Sequence, residues 1–360
     1  TNPGAVRAVG LMSGEGPATA DRTLTLTLFY PAEGPVEPTP IQTLLRDGVT
    51  PITLHGQSSE ETAPAAAEDG TKGFPLVLIS HGYPGNRFLM SHLAENLASK
   101  GYAVASIDHA GSTYDDMGPP EAVLVDRPSD IQFVLDHLTT GASHPALESV
   151  STDSIGLVGY SMGGYGVLMA QGAGLSAGVM ERTPETAQAL VGRFLTSSDE
   201  PALQPDPRVK AVISIAPWGR QMGILDPAGL ARIETPLLIV GGSEDDTSGY
   251  ETGIRQIWQD ASGADRALLT FDHAQHNAAA PIPAPAEAFA ENATLGWLPY
   301  EHYADRVWDS VRMNNILQGV ATGFFDHALK GAADAPSLAD ACAEPGPTGT
   351  RMEFLARGEG

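Results

Sequence analysis

A serine set between glycines is the clearest candidate for chemistry in this chain. Gly159–Gly163 (GYSMG) fits G-x-S-x-G, in which a serine occupies a sharp turn between a strand and a helix. Glycines are frequent (40 of 360 residues), and Gly174–Gly178 (GLSAG) is a second match. Only Ser161 directly follows a strand-like run, SIGLV, and opens a helical pattern, whereas Ser176 follows a helix and leads into an irregular segment. The context therefore predicts Ser161 as a nucleophile.

A serine hydroxyl attacks efficiently only when a histidine accepts its proton and an acid orients that histidine. Asp245 and Asp246 follow the strand-like run LLIVGG, and His273 and His276 follow the next run, ALLTF. The order serine, acid, histidine and the positions at strand ends are typical of one large hydrolase fold. Counting three residues from Gly242 favours Asp245 as the acid, with Asp246 as the alternative. The spacing leaves both histidines open as the base.

The oxyanion of an acyl-transfer intermediate needs two backbone N–H donors. One is expected at Met162, directly after the serine, and the other in the loop His81–Gly85 that follows the run PLVLIS. Pro84 has no N–H, which leaves Tyr83 as the expected second donor. For His81 we expect a structural, hydrogen-bonding role.

Short apolar runs alternate with helical patterns along the chain. A period of two over Thr23–Tyr30 predicts a half-exposed strand, and the other runs predict buried parallel strands at Pro75–Ser80, Ala103–Ile107, Ser154–Val158, Val212–Ile215, Leu237–Val240 and Ala267–Phe271. Helical spacing occurs at Phe88–Lys100, Arg127–Leu138, Met162–Gln171, Glu251–Asp260 and in a long helix ending before Gly331. This alternation predicts an α/β fold: a mostly parallel, doubly wound sheet of about eight strands in a single domain over residues 1–360.

Three segments interrupt the alternation and are predicted to be insertions. They cover residues 31–72, 174–207 and 278–300, and residues 332–360 are predicted to form a peripheral tail. Long insertions in such domains often serve as lids or binding loops, so we expect the second and third to border the substrate pocket. Trp218, at the end of a predicted central strand, is expected to line that pocket.

Composition excludes several classes of function. Lys+Arg 20 against Asp+Glu 44 gives a net charge of −24, which opposes binding to nucleic acids and anionic lipids. No apolar run has the ~18–20 residues that span a bilayer. Cys342 is the single cysteine, so an internal disulfide framework and cysteine-based zinc sites are excluded. No cofactor and no metal are expected. The acidic surface favours an exported (secreted or periplasmic) mature protein, with a cytoplasmic enzyme as the alternative.

The stretch SHGYPGNRFLMSHLAENLASKGYAVASIDHAGSTYDD, followed by GYSMGG, resembles the platelet-activating-factor acetylhydrolase and dienelactone-hydrolase-like branch of the α/β-hydrolases. The resemblance runs from about Thr23 to Gly331. It implies an esterase with an oxyanion donor at Tyr83, a nucleophile at Ser161 and a base at His276, within a His-Asn pair. Dienelactone hydrolases use cysteine at the elbow, where this chain has serine.

The sequence departs from acetylhydrolases at the acid. In that branch the acid follows the preceding strand, where this chain reads Ser214–Trp218 without a carboxylate. The acid is therefore expected at Asp245 or at Asp246, the second of which matches the Asp-Thr pair of cutinase-like sequences.

These features together predict a serine carboxylic-ester hydrolase that acts through an acyl-enzyme on small or medium-sized esters. The alternatives are a lipase-like or polyester-degrading, cutinase-like hydrolase, an amidase or peptidase, and a non-catalytic binding protein with the same fold. The expected partner is a small-molecule ester, and the sequence leaves the oligomeric state and the identity of the ester open.

Overall fold

A computed structural model describes residues 8–16, 23–60, 62–67, 72–141, 144–343 and 346–359. The strands in these ranges are β1 (Ala8–Gly16), β2 (Leu24–Ala32), β3 (Ile41–Leu44), β4 (Pro51–Leu54), β5 (Ser58–Glu60), β6 (Phe74–Ser80), β7 (Ala103–Asp108), β8 (Val150–Tyr160), β9 (Val209–Ile215), β10 (Leu237–Gly242), β11 (Arg266–Phe271) and β12 (Thr350–Leu355). Ten of them form one sheet in the order β12-β11-β10-β9-β8-β6-β7-β2-β1-β5, and β3 pairs with β4 as a separate hairpin.

The helices complete the alternation predicted from the sequence. They are α1 (Ser91–Ser99), α2 (Pro120–Asp136), α3 (Met162–Ala170), α4 (Glu185–Gly192), α5 (Pro227–Leu230), α6 (Arg255–Asp260), α7 (Tyr300–Tyr303), α8 (Ser310–Lys330) and α9 (Leu338–Ala343). Short 3-10 or π turns lie at His137–Gly141, Pro145–Leu147, Ala177–Arg182, Tyr250–Ile254 and Ala286–Phe289. No helix within the described ranges combines the length and apolar character that crossing a bilayer requires.

The centre of the sheet is parallel, as the continuous apolar runs predicted. Strands β7, β6, β8, β9, β10 and β11 run in one direction. All seven residues of β6 are buried, because helices cover both faces of the sheet. Eight strands, from β1 to β11 across the sheet, form the central arrangement of an α/β-hydrolase, and β5 and β12 add one strand at each edge. The predicted fold class is confirmed.

Helices pack on both faces of the sheet. On one face α1 packs against β2, β7 and α8, and on the other α2 packs against α3, which lies on β8 and β9. The boundaries of α8 have identifiable causes. The Asp309 side chain accepts a hydrogen bond from the Arg312 N–H at its start, and Gly331 adopts φ 62° at its end.

The sheet edges differ most from the elements predicted. Strand β1, three of whose nine residues are glycine, pairs antiparallel with β2, and β12 pairs antiparallel with β11. The second of these lies within the predicted tail at 332–360, so that segment contributes an edge strand. Within the described part of 31–72, β5 joins the sheet, and the buried carboxylate of Glu95 accepts hydrogen bonds from the N–H groups of Gln57 and Ser58. The edge strands β5 and β12 are short, with three and six residues, and neither contains a continuous apolar run.

Candidate active site

Ser161 lies in a strained turn between β8 and α3. Its backbone has φ 53° and ψ −112°, a conformation that non-glycine residues rarely adopt and that surrounding structure must enforce. The Ser161 N–H donates to the Ile215 carbonyl at 2.8 Å. A Cβ on Gly159 would lie 2.1 Å from the Gly163 carbonyl oxygen, and one on Gly163 would lie 2.0 Å from the Ser80 carbonyl oxygen. The glycines of the motif are therefore required by close backbone approach.

The structure brings Ser161, His276 and Asp245 into one hydrogen-bonded chain. The distance from Ser161 Oγ to His276 Nε2 is 2.9 Å, and the distance from His276 Nδ1 to Asp245 Oδ2 is also 2.9 Å. The Asp245 side chain is fully buried and that of His276 is 17% exposed. A buried carboxylate on Nδ1 holds the imidazole in the tautomer whose Nε2 accepts a proton from the serine.

Asp245 and Asp246 have different surroundings. The second carboxylate oxygen of Asp245 accepts hydrogen bonds from the N–H groups of Thr247 (2.9 Å) and Ser248 (2.8 Å), which fixes its direction at the end of β10. Asp246 is exposed and lines the cavity in front of the serine. Neighbouring side chains at a strand end point in different directions, so only the first of the two faces His276.

The two candidate histidines also have different surroundings. The side chain of His273 is 72% exposed, and its Nδ1 pairs with Glu244 at 2.8 Å on the protein surface. The loop that carries His276 is fixed by a hydrogen bond: the N–H of Gln275 donates to the Asp305 carboxylate at 2.7 Å. The same carboxylate accepts the N–H groups of Val307 and Trp308. Asp305 therefore joins the histidine loop to the start of the final long helix, a role that no spacing in the sequence indicated.

The loop after β6 lies beside the serine. A Cβ on Gly82 would lie 3.6 Å from the Ser161 Cβ, so the loop passes directly over the elbow. The N–H of Tyr83 donates no hydrogen bond to any described residue. Met162 is the first residue of α3, and its N–H is one of the helix-terminal donors without an intrahelical acceptor. Both backbone donors are thus free to receive a negatively charged oxygen near Ser161.

A buried cluster of polar side chains forms hydrogen bonds with the loop after β6. The Arg127 guanidinium donates to the carbonyls of His81 and Gly82 and to the hydroxyl of Ser112. His81 is fully buried, and its Nε2 accepts the N–H of His109 at 3.2 Å. Burial, followed by the nearby Arg127 and His109, lowers the pKa of His81 well below its usual range, so His81 is neutral and structural, in line with the prediction. Arg127, inside α2, was not identified from the sequence.

A cavity of about 950 Å³ opens in front of Ser161 and His276. Its walls are rich in aromatic and apolar side chains, among them Tyr83, Met162, Trp218, Met222, Trp297 and Tyr300. The predicted insertion at 174–207 contributes residues around Val179, and the insertion at 278–300 contributes Trp297 and Tyr300, so both border the cavity. Arg46, from the segment 31–72, also lines it, which the sequence did not indicate. Ser176, the second motif serine, lies outside it, and its N–H donates to the Ile224 carbonyl.

Comparisons with known proteins agree with the fold. A family model described as alpha/beta hydrolase fold matches residues 75–171. A cutinase, est2 of Thermobifida alba, is 25% identical over 66% of this chain and 67% of the relative. Bis(hydroxyethyl) terephthalate hydrolase of Streptomyces coelicolor is 25% identical over 76% of this chain and 72% of the relative. The structure of a ferulic acid esterase from Streptomyces cinnamoneus superposes with a TM-score of 0.61 at 21% identity, over 98% of this chain and 97% of that one.

The chain has the α/β-hydrolase fold, with a serine at the elbow and a histidine and an aspartate at the ends of the following strands. Its relatives are named as cutinases and as a bis(hydroxyethyl) terephthalate hydrolase. The protein is a serine carboxylic-ester hydrolase.

Proposed function

We propose that Ser161, His276 and Asp245 are the catalytic residues of this ester hydrolase and that it cleaves small and medium-sized carboxylic esters. The main support is the unbroken hydrogen-bond chain from the Ser161 hydroxyl through both nitrogens of His276 to a fully buried carboxylate. Each link has the length expected between a nucleophile, its base and the group that orients the base.

The chemistry follows from these contacts. Ser161 Oγ attacks the ester carbonyl carbon while its proton passes to His276 Nε2, and Asp245 stabilises the imidazolium that forms. The carbonyl oxygen becomes an oxyanion and receives hydrogen bonds from the N–H groups of Tyr83 and Met162. His276 then returns the proton to the departing alcohol oxygen, which leaves an acyl group on the serine. A water molecule loses a proton to His276 and attacks this acyl-enzyme, and His276 passes that proton to Ser161 Oγ as the carboxylic acid leaves.

Cavity size supports small and medium-sized substrates. A volume of about 950 Å³ lies at the upper end of the range typical of pockets for single small molecules. Aromatic side chains from three parts of the chain, Tyr83, Trp218 and Trp297, line the cavity and suit an apolar or aromatic acyl or alcohol group.

A cutinase-like activity on polyester is the second candidate. Apolar side chains surround the cavity mouth and remain exposed: Met222 by 49%, Trp297 by 37% and Tyr300 by 36%. Phe289, 62% exposed, contacts Tyr300 with ring centroids 4.9 Å apart and extends this surface outward. Such a rim favours contact with an apolar polymer chain. Cutinases and a terephthalate-ester hydrolase among the relatives are consistent with it.

The finer position of the chain within the superfamily rests on sequence motifs. We infer kinship to the acetylhydrolase and dienelactone-hydrolase-like branch from the loop around Tyr83, the early strand ending in Tyr-Pro and the His-Asn pair at His276 and Asn277. Asn277 accepts a hydrogen bond from the Tyr160 hydroxyl at 2.9 Å and donates to two carbonyls of the segment after the histidine loop. The pair therefore gives this loop a second anchor, beside the one at Asp305.

The experiment compares two serine variants on a series of p-nitrophenyl esters from acetate to palmitate, and on a suspended aliphatic polyester. Ser161→Ala should lower kcat by about 10⁶-fold, the scale of losing a triad serine. Ser176→Ala, the control at the second motif, should stay within about twofold because it lies outside the cavity. Full activity of Ser161→Ala would refute the assignment. A kcat/KM that is highest for short soluble esters supports hydrolysis of small and medium-sized esters. Release of carboxylic acid from the polymer supports the cutinase-like activity.

A further inference from the structure

Arg46 brings a cation into the active-site cavity. It lies in the turn between β3 and β4, inside the segment 31–72, and its half-buried side chain lines the same cavity as Ser161 and His276. His302 lines the same cavity. Its pKa is lowered to about 3, first by burial and then by the electrostatic contributions of Arg46 and His276.

The guanidinium lies near two aromatic rings. Its central carbon lies 5.9 Å from the ring centroids of both Tyr114 and Trp297, so two aromatic rings flank the cation. The turn itself is fixed by Asp47, whose carboxylate accepts hydrogen bonds from Thr50 and, at 2.7 Å, from the side-chain amide of Asn292. Two insertions, 31–72 and 278–300, are thereby joined at this wall of the cavity.

Arg46 has no anionic partner among the described residues. Its guanidinium carries five N–H donors, yet it forms no hydrogen bond and no ion pair with any residue in the described ranges. The adjacent carboxylate of Asp47 is occupied by Thr50 and Asn292, and that of Asp305 is occupied by main-chain N–H groups. Asp246 and Glu301 line the cavity but are exposed and lie beyond ion-pair distance of Arg46.

Burying part of a guanidinium without an anion is unfavourable. Burial lowers the pKa of Arg46 from its usual value, against smaller opposing contributions from Tyr114, Tyr303 and Tyr83. A ligand carboxylate would relieve this cost, because its two oxygens match the paired N–H groups of arginine and form charge-assisted hydrogen bonds.

Building on the proposed ester hydrolysis, we propose that Arg46 binds a free carboxylate at the non-reacting end of the substrate. The site then takes anionic esters: monoesters of dicarboxylic acids, or acylated hydroxy acids. A local cation is needed for this class, since the net charge of −24 repels anions from the rest of the surface.

The test measures kcat and KM for matched pairs of soluble esters. Monoethyl terephthalate and ethyl benzoate differ by a carboxylate on the acid side, and 4-acetoxybenzoate and phenyl acetate differ by one on the alcohol side. In the wild type, at least one anionic ester should have a kcat/KM above that of its neutral partner. Arg46→Gln should lower kcat/KM for that anionic ester about 10- to 100-fold, mainly through KM, and change the neutral partner less than about threefold. Arg46→Lys, which keeps the positive charge, should lower kcat/KM for that anionic ester less than Arg46→Gln does.

The control is Arg357→Gln, which removes the same charge from the surface at the C-terminal edge, where Arg357 pairs with Glu234. It should leave both ratios of anionic to neutral kcat/KM unchanged. The proposal is overturned if Arg46→Gln lowers all four esters equally, which would indicate a structural wall, or if neither ratio changes. Failure of the proposed function on small esters is a separate result, since the wild type would then hydrolyse neither neutral ester.

Discussion

Replacing Asp245 by asparagine separates the charge of the buried carboxylate from its shape. The asparagine oxygen can still accept the N–H groups of Thr247 and Ser248, so the turn after β10 should keep its structure. The amide nitrogen then faces His276 Nδ1, where the carboxylate oxygen lies at 2.9 Å. An N–H donor at this place forces Nδ1 to accept, which puts the ring proton on Nε2, toward Ser161 Oγ. That tautomer cannot take the serine proton.

The magnitude follows from the charge that is lost. Two unit charges about 4 Å apart interact by about 4 kcal/mol at an effective dielectric of about 20, and the fully buried Asp245 side chain makes that value appropriate. Losing this stabilisation of the imidazolium corresponds to about a 10³-fold lower kcat. The wrong tautomer lowers the rate further, so we expect a total loss of about 10⁴-fold.

The assay is kcat on p-nitrophenyl butyrate, with thermal unfolding of each variant to establish that the fold is retained. Asp246→Asn is the matched control, because its carboxylate is exposed and the His276 Nδ1 pairs with Asp245 instead. We expect it to stay within about threefold of wild type. A kcat for Asp245→Asn within tenfold of wild type, or an equal loss in both variants, would refute the reasoning and move the acid to another position.

Two further predictions concern histidines. His276→Ala should lower kcat by about 10⁶-fold, and His273→Ala, on the surface beside Glu244, should change it less than about threefold on the same ester; the reverse pattern would exchange their roles. Burial lowers the pKa of His92 to about 4, against the opposing hydrogen bond to the Ala280 carbonyl, so the folded state stays unprotonated where the unfolded chain binds a proton. The free energy of unfolding should therefore fall as pH drops from about 6.5 toward 4. When it is measured by urea unfolding, its change per pH unit should be smaller in His92→Gln than in the wild type by about 1.4 kcal/mol; an equal pH dependence would contradict this.

The central fold could be predicted because buried parallel strands produce continuous apolar runs. The run PLVLIS became β6, which is buried along its whole length, and LLIVGG became β10. The end of α8 could also be predicted, since its apolar periodicity is long and Gly331 stops it. The outer strands carry weaker signals: three of the nine residues of β1 are glycine, and β12 lies in a segment interpreted as a tail. Their pairing depends on which strand edge is left uncovered, a property of the whole sheet.

By itself, the sequence determined the order of serine, acid and histidine and the strand ends on which they lie, because local patterns of glycine and apolar residues mark the turns at those ends. The choice between Asp245 and Asp246, and between His273 and His276, was left to tertiary structure. Residues one to three apart in a loop share the same local sequence signal, and only long-range packing decides which side chain faces Ser161. Arg46 belongs to the same category. It approaches the cavity because the β3–β4 turn meets the insertion at 278–300 through Asn292, far away in the chain, and no local pattern encodes that contact.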